Sequence, residues 1–397
     1  MSTTCRFPDW NQKTTITPPD GVYLDNNATT MVCASARQAM SDCMEYYYGN
    51  PSSKHFHGAA ASIALNRSRE IVKEALGTKE GTIIFTSGGT EANNLAILGL
   101  KEGVVSRSTG LIGFSRIEHK SVFQACLSSP NDECITIPAK PNGEIDVDFL
   151  LKHKNPQSFK MVCMMLANNE TGVIQPLRDV GNFCEENDIQ LHVDAVQAIG
   201  KMKIPEGLCE WADSVSISAH KFHGPKGVGA LWVRDSRNYQ SIIQGGGQEK
   251  GLRPGTENLP GIVGMAAALV DLNVVNHSHI EELRNRFEEK ILAGVKGAVV
   301  NGKDARRVCN TSSISFTGSQ VESDAMVYML SMSGVHASAG AACNSTTDRY
   351  SEALMAMGMS PENVARTIRF SLSSYTTEQQ INTAAEVVVG AISRLSR

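Results

Sequence analysis

Between residues 81 and 233 the chain repeats one pattern: a short apolar run, a turn, then a segment with helical spacing. The runs are GTIIFTS at 81–87, a shorter one at 112–116, KMVCMMLA at 160–167, IQLHV at 189–193, SVSIS at 214–218 and GALWV at 229–233. Helical spacing fills 90–100 and 177–187. A strand that is apolar along its whole length has both faces covered, and crossover helices supply that cover. The pattern predicts an α/β fold with a mostly parallel sheet and right-handed crossovers.

The pattern changes after about residue 270. Residues 279–295 place Ile280, Leu283, Phe287 and Ile291 on one helical face, while 311–316 and 367–372 read as strands. Helices are expected over 321–332 and 376–395, the second with Thr376 and Gln379 at capping-box spacing. These elements suggest a smaller α+β domain. The division expected is 21–268 for the large domain and 269–397, with 1–20, for the small one.

Composition narrows the function. A formal net charge of −4 over 397 residues disfavours a nucleic-acid-coating protein. No apolar run approaches the roughly 18 residues of a membrane helix. Ten scattered cysteines include no C-x-x-C pair, which disfavours zinc knuckles and dithiol redox motifs and suits free thiols in a reducing compartment. Residues 1–19 show no signal core or Arg-rich leader, so a cytoplasmic location is expected.

In open α/β sheets ligands gather at the carboxyl ends of strands. After GTIIFTS come Gly88, Gly89 and Thr90, either a plain helix-capping turn or an anion site at a helix N-terminus. After IQLHV comes Asp194, which either caps a helix or faces a ligand that carries a proton. After SVSIS come His220 and Lys221 before a Gly-rich turn. Lys221 is either a solvated turn lysine or a Schiff-base lysine. A phosphate site, a carboxylate for a protonated ring nitrogen and an imine-forming lysine are together what pyridoxal phosphate needs from a protein.

Further candidates follow other strands. His119 can stack on an aromatic group or move protons, and the amides of NNETG at 168–172 can bind a hydroxyl or carboxylate or form an Asx turn. The Gly-rich stretch 245–258 lacks evident apolar anchors and reads as a surface loop or one that a partner orders. Cys343 lies among small residues in SAGAACNS at 338–345, where a thiol can move and react. Arg369 takes the face opposite Ile368, Phe370 and Leu372, free to meet a carboxylate in a cleft.

These stretches resemble the cysteine desulfurases and the related selenocysteine lyases, in the class V aminotransferase-like branch of fold-type I pyridoxal phosphate enzymes. The matching motifs, in order, are YLDNNATT at 23–30, GNPSS at 49–53, TSGGTE at 86–91, ANNETG at 167–172, HVDAVQ at 192–197, SAHKFHGPK at 218–226, RPGTEN at 253–258 and GAAC at 340–343. The resemblance implies a large domain with a mostly parallel seven-stranded sheet. In it Lys221 would hold the cofactor and shuttle protons at the substrate Cα. Asp194 would pair with the ring nitrogen, Gln197 with the ring hydroxyl, and His119 would stack on the ring. Gly89, Thr90, Ser218 and His220 would bind the phosphate. Thr256 would reach the phosphate site of a neighbouring subunit, implying a homodimer. Asn169 and Arg369 would hold the substrate carboxylate, and Cys343 would be the nucleophile that carries sulfur to an acceptor protein. No metal is implied.

The GAAC form is also similar to animal selenocysteine lyases, so L-selenocysteine stands as the alternative substrate to L-cysteine. The chain stops at Arg397 directly after its last expected helix, so the scaffold-docking tail of the housekeeping desulfurases is expected to be missing. An aminotransferase or kynureninase-like lyase using Lys221 without the cysteine, and a non-enzymatic sulfur carrier, are the more distant readings.

Overall fold

The computed structural model describes residues 21–104, 110–318, 321–339 and 350–395. A seven-stranded sheet forms its centre, in the order Thr82–Thr86, Gly229–Val233, Ser214–Ser218, Gln190–Asp194, Phe159–Met165, Leu111–Ser115, Glu133–Ile137. Six of these strands point the same way, and only Gly229–Val233 is reversed, antiparallel to both of its neighbours. Every residue of Phe159–Met165, Ser214–Ser218 and Gly229–Val233 is buried, as continuous apolar runs require. The strand Glu133–Ile137 escapes the apolar-run criterion because it is an edge strand, with Glu133 and Thr136 exposed.

Two apolar layers cover the sheet. One is built around Phe159, Leu191, Val193, Val215 and Trp232, with the helices Ala34–Tyr46, Phe56–Ala75 and Leu259–Asp271 packed together outside it. The other holds Ile112, Phe114, Met161 and Leu231 against the helices Gly89–Leu98 and Lys120–Leu127.

A separate core gathers Leu24, Phe287, Ile314, Phe316, Phe370, Ile381 and Val388. Its antiparallel sheet runs Ser338–Ala339, Thr367–Ser371, Thr311–Phe316, Ala298–Val300, backed by the helices His277–Gly294 and Glu378–Leu395. Packing redraws the expected division at both ends. A break at 268/269 would cut the helix Leu259–Asp271, whose Leu269 belongs to the first core, and Leu272 still packs there. The change of core therefore falls in the connection before His277. At the other end Val22 and Leu24 pack in the second core, because Val22–Tyr23 pairs in parallel with Val335–His336.

The last helix is capped one residue later than the spacing suggests. Thr377 Oγ1 accepts from Gln380 N at 3.2 Å, and Gln380 Oε1 accepts from Thr377 N at 2.9 Å. Thr376 instead accepts from Ser373 N at 2.9 Å, so its hydroxyl serves the preceding turn.

Candidate active site

The carboxyl ends of the parallel strands open onto one cavity of about 630 Å³. Gly89, Thr90, His119, Asn169, Asp194, Gln197, Ser218, His220, Lys221 and Arg369 all line it. Of the residues singled out from sequence, Thr256 does not line it and is exposed. Cys343 lies outside the described residues.

Asp194 ends its strand with its carboxylate buried. Oδ2 accepts from Asn93 Nδ2 at 2.8 Å and Oδ1 from Val196 N at 2.9 Å. Both donors are uncharged, so among the described residues the charge has hydrogen bonds but no cation. Lys221 lies on the short turn Ala219–Lys221 after Ser214–Ser218, and its Nζ donates to the carbonyls of Asn27 at 2.7 Å and Ala28 at 2.9 Å. His220 is pushed down to about 4 by burial and by Lys221, Lys226 and Lys201, so its ring is neutral near pH 7.

Close packing sets the glycines. A Cβ on Gly89 would stand 2.7 Å from Val196 Cγ2, so the helix Gly89–Leu98 begins hard against the turn after Asp194. Arg369 is buried. Nη1 donates to the Asn169 carbonyl at 3.0 Å and Nη2 to Asp25 Oδ1 at 3.0 Å, while its buried Nε has no partner among the described residues. An orphaned guanidinium N–H on a cavity wall is a built-in demand for an anionic ligand.

Residues 22–383 match the model of the family "Aminotransferase class-V". A "Cysteine desulfurase" of Cereibacter sphaeroides is 40% identical over 378 residues, covering 94% of this chain and 96% of that protein. "Cysteine desulfurase IscS" of Dictyoglomus turgidum is 37% identical, covering 94% and 95%. A solved "NIFS-LIKE PROTEIN" superposes with a TM-score of 0.84 at 34% identity, covering 94% of this chain and all of that one.

The chain belongs to the class-V aminotransferase family. Within it the relatives at this level of identity are cysteine desulfurases, and members are pyridoxal-phosphate-dependent. The cavity fits that cofactor on its own chemistry. Asp194 would hold a protonated ring nitrogen. The helix N-terminus at Gly89 and Thr90, with Ser218 and His220, would hold the phosphate, and Lys221 would hold the aldehyde carbon.

The NNETG loop divides between the two readings offered for it. Asn168 makes the Asx turn, its Oδ1 accepting from Glu170 N and Thr171 N at 2.9 Å each, while Asn169 lines the cavity. The stretch 245–258 is anchored after all. Leu252 is buried in the second apolar layer, Glu249 forms a two-pronged ion pair with Arg69, and Arg253 pairs with Glu91 at 2.8 Å.

Four residues in or next to the cavity take no role from the sequence alone, although Asn27 lies within YLDNNATT. Asn27 is a junction: its carbonyl accepts from Lys221 and from Gln197 Nε2 at 3.0 Å, and its Nδ2 donates to Thr311 Oγ1 at 2.8 Å in the second sheet. Lys201 is buried, donating to Gln197 Oε1 and to Asn27 Oδ1 at 3.0 Å. Burial, Lys221 and Arg369 push its ammonium well below the usual lysine range. Glu118 takes Ser115 Oγ and Met165 N on Oε1, and its buried Oε2 has no partner among the described residues. Burial above all pushes its carboxyl up to about 8. Asn93 bonds Asp194. Only contacts across the fold place Asn27, Asn93 and Glu118 on the cavity and Lys201 behind it, against Asn27 and Gln197.

Proposed function

We infer that the chain is a pyridoxal-phosphate-dependent cysteine desulfurase that converts L-cysteine to L-alanine and leaves the sulfur on Cys343. The observation that carries this reading is the convergence of Asp194, Lys221 and Arg369 on one cavity; one flank of the Cys343 segment lines it and the other pairs with the strand of Arg369. Ser338 is the register partner of Arg369, and Glu352 and Ala353 line the cavity. Cys343 stands four residues beyond Ala339, within about 14 Å of it along a fully extended chain.

The cofactor supplies an electron sink for the substrate's Cα–H and C–S bonds. Arg369, through its free Nε–H, and Asn169 bind the substrate carboxylate and orient the amino acid. Lys221 would hold the cofactor, and its Nζ is the group that would take the substrate's Cα proton. The Cys343 thiolate attacks the substrate sulfur, so an S–S bond forms as the C–S bond breaks. The balance is L-cysteine plus Cys343–SH giving L-alanine plus Cys343–S–SH, whose outer sulfur passes to a thiol of an acceptor protein.

The active form is a homodimer in which the loop holding Thr256 completes the partner's phosphate site. The exposed Tyr46, Tyr48, Phe56 and Ile63, with Phe56 81% and Ile63 71% exposed, support an apolar subunit contact. A reducing cytoplasm suits a protein with eight free thiols among its described residues. The test is alanine release by wild type and by Cys343→Ala from L-cysteine and, separately, L-selenocysteine. Alanine from cysteine in wild type alone supports the desulfurase. Activity confined to selenocysteine, or surviving in the variant, overturns it.

A further inference from the structure

A buried chain of hydrogen bonds runs from Asp194 to His119, and the chemistry of its members fixes where each proton lies. Asn93 stands in the middle of the helix Gly89–Leu98 and is fully buried. The atom it turns to Asp194, 2.8 Å away, must be its amide nitrogen, because a carboxylate only accepts. Its oxygen therefore faces His192 Nε2 at 3.1 Å. Burial pushes His192 down to about 4, so this ring is neutral and places its one proton on Nε2. Nδ1 is left to accept from Ser214 Oγ at 2.8 Å.

The second proton of the Asn93 amide goes to Ser121 Oγ at 2.9 Å. The Ser121 hydroxyl, receiving there, donates to His119 Nδ1 at 2.7 Å. The Ser121 backbone N–H also points at Nδ1, at 3.1 Å. An amide N–H only donates, so Nδ1 meets two donors and carries no proton of its own. The proton of the neutral ring is left on Nε2, at the opposite edge of a side chain that lines the cavity.

We propose that Asn93 is a positioning residue for His119: acting through Ser121, it sets the ring as a proton donor from Nε2 and ties that setting to the charge of Asp194. The consequence is chemical. His119 meets what enters the cavity with an N–H and not a lone pair, so it gives a proton before it can take one. The amide of Asn93 joins the two groups that would face the cofactor, one at the ring nitrogen and one at the ring plane. The proposal rests on the desulfurase reading for its meaning, but its test does not read turnover, so either can fail without the other.

The experiment is nitrogen NMR of the holoenzyme labelled with 15N in its histidine rings, with His119 assigned by loss of its signals in His119→Gln. Wild type should show a pyridine-type Nδ1, shifted by hydrogen bonding, and a pyrrole-type Nε2. In Ser121→Ala the Nδ1 signal should move toward that of an unbonded acceptor, and Ser121→Thr, which keeps the hydroxyl, should restore it. Asn93→Ala should move it in the same direction. A protonated Nδ1 in wild type, or an Nδ1 signal unmoved in Ser121→Ala, overturns the assignment. A shift in Ser121→Ala but not in a folded Asn93→Ala overturns the role given to Asn93. Should Asn93→Ala not fold, Asn93→Ser, which lacks the donor to Ser121, takes its place.

Discussion

Ser338 lies directly across from Arg369 in the antiparallel sheet of the second core. The strand that leads into the Cys343 segment is thus held to the strand that presents a guanidinium to the cavity. In the roles proposed for Arg369 and Cys343, the strand that precedes Cys343 in sequence and the strand that holds Arg369 belong to one sheet.

The guanidinium of Arg369 is a planar fork, with Nη1 and Nη2 committed to Asn169 and Asp25 and Nε unpaired among the described residues. Lysine's three donors sit on one tetrahedral nitrogen and cannot span the planar fork that reaches Asn169, Asp25 and a ligand at once. Arg369→Lys should raise KM for L-cysteine about 10- to 100-fold, the worth of charge-assisted hydrogen bonds, with a smaller change in kcat. Initial-rate kinetics check this.

Gly89→Ala places a methyl 2.7 Å from Val196 Cγ2 and displaces the helix start proposed to bind phosphate. The variant should lose bound pyridoxal phosphate on dialysis, followed by the cofactor's visible absorbance. Adding Val196→Ala should recover most of the binding, because the clash is with that side chain alone.

Glu118 has a folded-state pKa of about 8, above its ordinary 4.5. The folded state therefore holds a proton that the unfolded chain releases. This stability is fully present below about pH 4.5 and is lost as pH rises through about 8. Glu118→Gln removes the titration while keeping an amide of the same shape. Urea midpoints should show the variant gaining on wild type steadily from pH 5 to pH 8, and a gap independent of pH would contradict the assignment.

Glu249 is buried and receives Arg69 on both oxygens and Phe85 N at 2.8 Å. Glu249→Ala removes the arginine's ion-pair partner, leaving it the Ile83 carbonyl, and leaves the Phe85 amide unpaired. It should cost about 3–5 kcal/mol of stability and open 245–258 to limited proteolysis.

Most parts of the site legible in the sequence share one property: they follow a buried strand, while Arg369 is legible from alternation within its own strand. Gly89 and Thr90, Asp194 and Lys221 stand next to runs whose apolar continuity predicts the parallel sheet, and the strand-end rule then puts them together. Asn27, Asn93 and Lys201 could not be found in that way. Asn93 meets Asp194 across 101 positions and Lys201 meets Asn27 across 174. The same limit explains the edge strand Glu133–Ile137, whose exposed positions break its apolar run, and the division of cores, which depends on where Val22, Leu24 and Leu269 pack.

The most direct test of the account is to locate the sulfur. Holoenzyme is given one turnover of L-cysteine, alkylated under non-reducing conditions and digested, and each cysteine peptide is weighed. The account predicts one added sulfur on the Cys343 peptide, in amounts matching the alanine formed, and none on Cys343→Ser, which should release no alanine from cysteine. Alanine formed at the wild-type rate by Cys343→Ser, or the sulfur found on another cysteine, would contradict it.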